Sequence, residues 1–376
     1  MTKSSDLWIL QFCHCYTGPF MDCARQYAAL FKDTPYKVCT VYLTGSPDQA
    51  VTTGSASDEV IFLNYSSRQV RGLKLGAIKD IHRISKNRNF KACIAHRFKP
   101  IYIALLATKL PVFGVHHAFG DYERATRRIL VNFYQKRLTL LAVSNAVRNE
   151  IRSCFPSWPN DKIATLYNRI DVEAVQAEQL SRKDAREALK LPQDAWIVGT
   201  VGRLHPDKDQ ATLIRGFAKA ILQLPDNSLL AIMGSGKLES ALRQLTDELH
   251  LSNRVIFLGQ IPQGRRYFKA FNLFALTSDH EPFGMVLLEA ITAYLPVICS
   301  NCGGGREVIA GYGSLFPLGN SDALAQELVA CHINEDNPSK PDAQSHLDLF
   351  SDDAIRTQFW NLELICSLNQ EDTTHV

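Results

Sequence analysis

Short apolar runs alternate with stretches of helical period along most of this chain. The first series of runs ends at Phe12, Leu43, Leu63, Ala95, Val115 and Val143, and the second covers 196–201, 229–233, 255–258, 273–276 and 297–300. Uninterrupted apolar strands of this length predict parallel sheets covered on both faces. Between the two series, residues 171–193 are charged and helical. The pattern therefore predicts two doubly wound α/β domains, 1–170 and 171–350, joined near 169–195. The tail, 351–376, carries an amphipathic helix over 352–367. Val70, Leu73, Ala77, Ile81 and Ile84 recur at helical spacing, which predicts a further helix over 68–86 with Arg71, Lys74, Lys79, Arg83 and Lys86 on its polar face.

Composition narrows the picture. A chain of 376 residues accommodates two domains of roughly 100–200 residues each. No run of ~18 apolar residues is present to span a bilayer. The N-terminus lacks the apolar core and cleavage site of a signal peptide. The ten cysteines have no paired metal-binding spacing beyond a lone Cys299-x-x-Cys302, which fits a reducing cytoplasm. Charge is uneven. Residues 1–171 hold 24 Lys and Arg against 12 Asp and Glu, a net +12, whereas the whole chain carries only +3. A basic N-terminal half predicts an anionic acceptor or an anionic membrane surface as partner. Nucleic acid is not expected, because no recognition motif or aromatic platform accompanies the charge.

The segment from Glu281 to Ala290 carries the chemistry. It sets two acids, Glu281 and Glu289, eight positions apart around a Pro282-Phe283-Gly284 turn. Read as loop then helix, Glu281 closes a strand-to-helix turn and Glu289 lies within the helix. The unbonded N–H groups of a first turn formed by Met285, Val286 and Leu287, with the positive end of the helix dipole, suit a phosphate. Upstream, Gly202-Arg203-Leu-His-Pro-Asp-Lys208 follows an apolar strand, where open α/β sheets place ligands. Gly234-Ser-Gly236 follows another strand, and Gly303-Gly304-Gly305 a third.

These elements, in this order, resemble glycosyltransferase family 4, whose members carry E-x7-E, GRL-x-x-x-K, I-x-G-x-G and V-x-F-x-G elements. The resemblance covers roughly 197–318 most specifically. It implies the GT-B fold: two Rossmann-like domains facing a central cleft, with the C-terminal helix crossing back to the N-terminal domain. It implies a retaining, metal-independent hexosyltransferase using a nucleotide-diphosphate sugar, UDP before GDP, and a saccharide or glycolipid acceptor in lipopolysaccharide or exopolysaccharide synthesis. No cofactor or metal is implied, and the location implied is cytoplasmic, peripheral at the inner membrane face. Site residues carry over as follows. Glu281, His117, Arg203 and Lys208 are implied in catalysis. Gly18, His116, Gly202, Arg203, Lys208, Gly234, Gly236, Glu281, Phe283, Gly284, Met285, Val286 and Glu289 are implied in donor binding.

Two positions depart from the family pattern. Gly18 stands alone where a Gly-Gly pair is usual, and Arg169 replaces the glycine of the I-x-N-G-(I/V)-D element, which suggests that Arg169 reaches an anionic acceptor. Rival readings are a catalytically silent sugar-nucleotide or glycan-binding subunit and a nucleotide-sugar epimerase of the same fold. A dinucleotide dehydrogenase is disfavoured by the missing G-x-G-x-x-G.

Overall fold

The computed structural model describes residues 6–18, 20–334 and 342–362. The chain divides into two compact units, Met1–Arg169 with Asp352–Val376, and Ile170–Ser351. The N-terminal unit holds strands β1 (Leu7–Cys13), β2 (Tyr36–Tyr42), β3 (Glu59–Phe62), β4 (Asn89–His96), β5 (Val112–His116), β6 (Leu138–Ala142) and β7 (Ile163–Thr165). The C-terminal unit holds β8 (Ile197–Val201), β9 (Leu229–Met233), β10 (Val255–Gly259), β11 (Leu273–Leu276), β12 (Val297–Ser300) and β13 (Ser314–Phe316).

Both sheets are parallel, in the orders β3-β2-β1-β4-β5-β6-β7 and β10-β9-β8-β11-β12-β13. In each, the strand order reverses beside the unit's first strand, at β1/β4 and at β8/β11. The crevice outside the carboxyl ends at such a reversal is where open α/β sheets bind ligands. Strand interiors are buried on both faces, as the unbroken apolar runs require. Ile9, Val38, Ile94 and Val115 share one core, and Val198, Leu230, Ile232, Leu273 and Ile298 the other.

Between the series, the helices Val172–Glu178 and Arg182–Ala188 occupy the predicted connector, capped by Asp171 and Ser181. Arg186, buried among them, fastens this segment to the C-terminal unit. Its Nε donates to the Ala270 carbonyl at 2.9 Å and its Nη2 to Asn272 Oδ1 at 2.8 Å.

The C-terminal helix Asp352–Trp360 packs on the N-terminal unit. Phe359 meets Phe31 at 5.5 Å between ring centroids, Trp360 stacks on Tyr36, and the Trp360 indole N–H donates to the Leu30 carbonyl at 2.9 Å. The helix ends at Trp360, short of the predicted 367, and 363–376 lie outside the described residues.

Two sequence expectations change. The basic helix runs Leu75–Lys86 rather than from 68. Gly72 and Lys74 both take left-handed backbone, which turns the chain before the helix, and Leu73 is exposed rather than part of its apolar stripe. Strands β7 and β13, three residues each, carry too little period to be seen in the sequence.

Candidate active site

The β8/β11 reversal brings together two loops that are far apart in sequence. Beyond β8 the chain makes a short 3-10 turn, Pro206–Lys208, and then the helix Gln210–Ala220, whose N-cap Asp209 accepts from Thr212 N–H. Beyond β11 it runs through Thr277, Ser278 and Glu281 into the helix Met285–Thr292. Three bonds tie the loops: Thr277 Oγ1 to the Lys208 carbonyl at 3.0 Å, Asp279 N–H to the Asp207 carbonyl at 3.0 Å, and Lys208 Nζ to Glu281 Oε2 at 2.6 Å. Within the second loop, Ser278 Oγ donates to the same carboxylate oxygen at 3.2 Å. Both side chains of the Lys208–Glu281 pair are largely withdrawn from solvent, at 18% and 9% exposure. An ion pair held in that setting survives only with well-placed hydrogen bonds, which Ser278 helps to supply.

The sequence-predicted residues fall into distinct groups. Glu281 and Lys208 are brought into contact. Glu289 is half-buried on the helix whose first residues are Met285 and Val286. The N-cap of that helix, Gly284, takes φ 99° and offers no side-chain bond, so the first turn keeps N–H groups for an anion. Arg203 is mostly exposed and bridges Asp207 at 3.3 Å, apart from the buried pair. The Phe283 ring is core, edge-on to Phe350 at 5.9 Å, and only its backbone faces the turn.

The glycines act chiefly by allowing close approach. A Cβ on Gly234 would lie 1.9 Å from the Gly202 carbonyl oxygen, and one on Gly236 would lie 2.4 Å from that of Leu204. The two therefore seat the loop that carries Arg203 and Lys208. Gly303 and Gly304 do the same for the acidic loop: a Cβ on Gly303 would fall 2.2 Å from the Glu281 carbonyl oxygen, which accepts from Gly304 N–H at 2.7 Å.

In the N-terminal unit, the end of β5 separates the two histidines. His116 is fully buried, its Nδ1 bonded to Asp121 Oδ2 at 2.7 Å and its Nε2 to the Tyr122 hydroxyl at 3.0 Å. Both ring nitrogens are thus engaged, and His116 is a scaffold residue rather than a donor ligand. Asp121 is pushed up by burial, but its hydrogen bond to His116 and the charges of His116, Arg127 and Arg97 outweigh that and hold it below the usual range. His117 is only partly covered. Its Nε2 lies 3.1 Å from His96 Nδ1, and the two rings are stacked at 5.4 Å. Burial, with His116 and Arg97 nearby, depresses His117 to about 4, so the ring is neutral at physiological pH. Gly18 takes φ 63° in the open loop beyond β1. Arg169 is buried and its Nη1 pairs with Asp352 at the start of the C-terminal helix. That correction removes it as an acceptor contact, since its charge is spent on the chain crossing.

Sequence reasoning missed Ser278, Thr277, Asp209, His96 and Asp121. The polar run Thr277-Ser278-Asp279-His280 directly after an apolar strand was the available signal for the first two. Asp209 and Asp121 act through neighbours three to six residues away, and His96 depends on a contact with His117 at the end of the adjacent strand.

Residues 28–174 match the family model described as Glycosyltransferase Family 4, and residues 181–343 the one described as Glycosyl transferases group 1. The lipopolysaccharide core biosynthesis glycosyltransferase LpsD of Rhizobium meliloti is 30% identical over 274 residues, which cover 71% of this chain and 73% of that protein. The chain belongs to the family 4, group 1 glycosyltransferases. A Campylobacter jejuni relative of this chain, named as an N-acetylgalactosamine-N,N'-diacetylbacillosaminyl-diphospho-undecaprenol 4-alpha-N-acetylgalactosaminyltransferase, is 29% identical, over 61% of this chain and 64% of that one. The chain spans less than two thirds of the length of the first two curated relatives it matches. Among solved structures, Anabaena HepE in complex with UDP and glucose superposes with a TM-score of 0.75 at 21% identity, covering 93% of this chain and 98% of that one. The fold of this chain is thus GT-B. No helix among its described residues is long and apolar enough to cross a membrane.

Proposed function

We propose that this protein is a retaining hexosyltransferase that moves a sugar from a nucleotide-diphosphate donor, UDP before GDP, to a hydroxyl of a saccharide or glycolipid acceptor in cell-surface glycan synthesis. The observation that carries the reading is the 2.6 Å Lys208–Glu281 pair at the β8/β11 reversal, beside the open N-terminus of the helix Met285–Thr292. Lys208, Arg203 and the helix N–H groups would take the diphosphate and the negative charge that grows on it as the leaving group departs. Gly202, Gly234, Gly236 and Gly284 would bring backbone close to the donor. Glu289 would accept from ribose hydroxyls, and Glu281 would stand near the transferred sugar. His117, a neutral imidazole, would hydrogen-bond the sugar without acting as a base.

In the transfer, the bond from the anomeric carbon to the donor phosphate oxygen breaks. The acceptor oxygen bonds that carbon on the same face, and its proton passes to the departing phosphate oxygen. Fixed cations supply the charge compensation, so the reaction is proposed to need no metal. UDP is supported by the fold shared with HepE bound to UDP, and the acceptor class by the names of the Rhizobium and Campylobacter relatives. The proposed cytoplasmic placement, peripheral at an anionic membrane face, is supported by the relatives' acceptor class and by the basic N-terminal half.

The test is titration of the purified protein with UDP-, GDP-, ADP- and dTDP-sugars in EDTA, read by thermal shift and by release of free nucleoside diphosphate. UDP-sugars should stabilise the protein, and Lys208→Ala should weaken their binding at least tenfold. Lys208→Ala also strands Glu281 in a buried position, so its stability should fall by roughly 3 kcal/mol. Flat responses to all four donors would instead favour the silent binding subunit.

A further inference from the structure

We propose that Lys74, Arg97, Lys99 and Arg127 form a phosphate-binding subsite on the N-terminal unit, which holds a phosphate group carried by the acceptor. The inference rests on the glycosyltransfer reading and narrows its acceptor to a phosphorylated one. The β1/β4 reversal is the second ligand crevice that the topology creates. His14 directly follows β1, and Arg97 and Lys99 directly follow β4. Arg97 is also the N-cap of the helix Phe98–Ala107, held at φ 70° with no side-chain cap, so the positive end of a helix dipole opens there as well.

The charges are clustered and aromatic-backed. Lys74 Nζ sits 4.5 Å from the Tyr102 ring, the Arg127 guanidinium 4.5 Å from Phe98 and that of Arg97 5.0 Å from Phe20. Phe98 and Tyr102 lie on one helix with ring centroids 6.5 Å apart, so Lys74 and Arg127 both pack against the same helix.

These cations are also poorly compensated. Four basic side chains elsewhere in the unit meet acids, Arg25 with Asp22, Lys37 with Asp6, Arg83 with Asp80 and Arg88 with Glu59. Among the described residues Lys74, Arg97 and Lys99 have no carboxylate within ion-pair distance, and Arg127 has only Asp121 at 3.5 Å, a carboxylate shared with His116. The mutual repulsion shows on the neighbours. Burial, with Lys99 and Arg97 beside it, pushes His14 down to about 4, and burial with Lys99 and Arg127 nearby lowers Lys74. His14 Nδ1 is buried without a hydrogen-bond partner, a further polar atom that a bound anion's hydroxyl or ester oxygen would satisfy. A cluster of like charges at a ligand crevice is stabilised by an anion, and phosphate is the anion that accepts several charge-assisted bonds at once.

Calorimetry on the full chain tests this. UDP at saturation first fills the donor diphosphate site, and glucose 6-phosphate or glucose is then titrated. Glucose 6-phosphate should bind and glucose should not. Lys99→Ala and Lys74→Ala should each weaken glucose 6-phosphate at least tenfold, while UDP affinity changes less than twofold, which also certifies folding. A parallel arm floats the protein on phosphatidylcholine vesicles with and without one quarter phosphatidylglycerol. Loss of anionic-vesicle binding in the same two variants would support the subsite, with a lipid headgroup as its phosphate source. If neither probe binds in a Lys99- and Lys74-dependent way, the proposal is overturned. Failure of UDP to bind while glucose 6-phosphate binds would overturn the donor reading and leave the subsite standing.

Discussion

At the scale of single residues, the electrostatics of the N-terminal unit make a pH prediction. His14 and His117 are both held at about 4, against an ordinary imidazole value near 6.5. Below pH ~6.5 the unfolded chain takes up protons that the folded chain refuses, so the stability these histidines contribute is complete above that pH. It drains away as the pH falls toward 4. Asp121, held low, adds its own loss only below the ordinary carboxylate range. Urea unfolding midpoints should therefore drop between pH 7.5 and 5, and His117→Gln should shrink the drop. An equal drop in wild type and variant would show that His117 titrates normally in the folded protein. The histidine pair also shows how far identity alone can be read. His116 and His117 are adjacent and chemically equivalent in the sequence. One is sealed between Asp121 and Tyr122, and the other leans on His96 toward the open end of the sheet.

At the scale of elements, the donor loops depend on helix starts and on tight backbone crossings. Asp209 is both the N-cap of the helix Gln210–Ala220 and the residue after Lys208, and it holds a left-handed φ of 41°. Its side chain accepts from Thr212 Oγ1 at 2.6 Å as well as from Thr212 N–H at 3.3 Å. Asp209→Ala removes both bonds and puts alanine where φ is positive, at a cost of about 1–2 kcal/mol. Asp209→Asn keeps an acceptor and tolerates the backbone, so it should lie within about 0.5 kcal/mol of wild type. Chemical denaturation of the two variants separates the cap from a general charge effect: equal losses would mean that charge, not capping, is what matters. The glycine seats were legible as glycines in a familiar rhythm. What they touch was not, because Gly202 and Gly234 come together only when β8 and β9 pair.

At the scale of the whole molecule, the chain leaves the N-terminal unit at Arg169 and returns to it at Asp352, and these two residues are paired. The returning helix is part of that unit's core, since Phe359 is fully buried against Phe31. Phe359→Ala should cost about 3–5 kcal/mol in the N-terminal unit while leaving UDP binding by the C-terminal unit measurable. A midpoint within error of wild type would show that the helix is not needed for the core. The charge asymmetry belongs to this scale too. The basic half is the unit that contains the uncompensated cluster around Lys99, and the acidic remainder contains the glutamate loop.

By itself the sequence determined the α/β alternation, the two strand series, the connector helices and the loop that carries Glu281 and Glu289. Each of these is written in local period or in residues close together along the chain. Tertiary structure alone decided that Lys208 reaches Glu281, 73 residues away. It also decided that His116 is scaffold, that Arg169 is consumed by Asp352, and that the basic segment turns at Gly72 before its helix begins. Strands β7 and β13 join their sheets only by borrowing a neighbour's hydrogen bonds. The physical reason is common to all of these: burial, ion pairing and edge-strand formation depend on partners distant in sequence, and no local pattern records which partner the fold will supply.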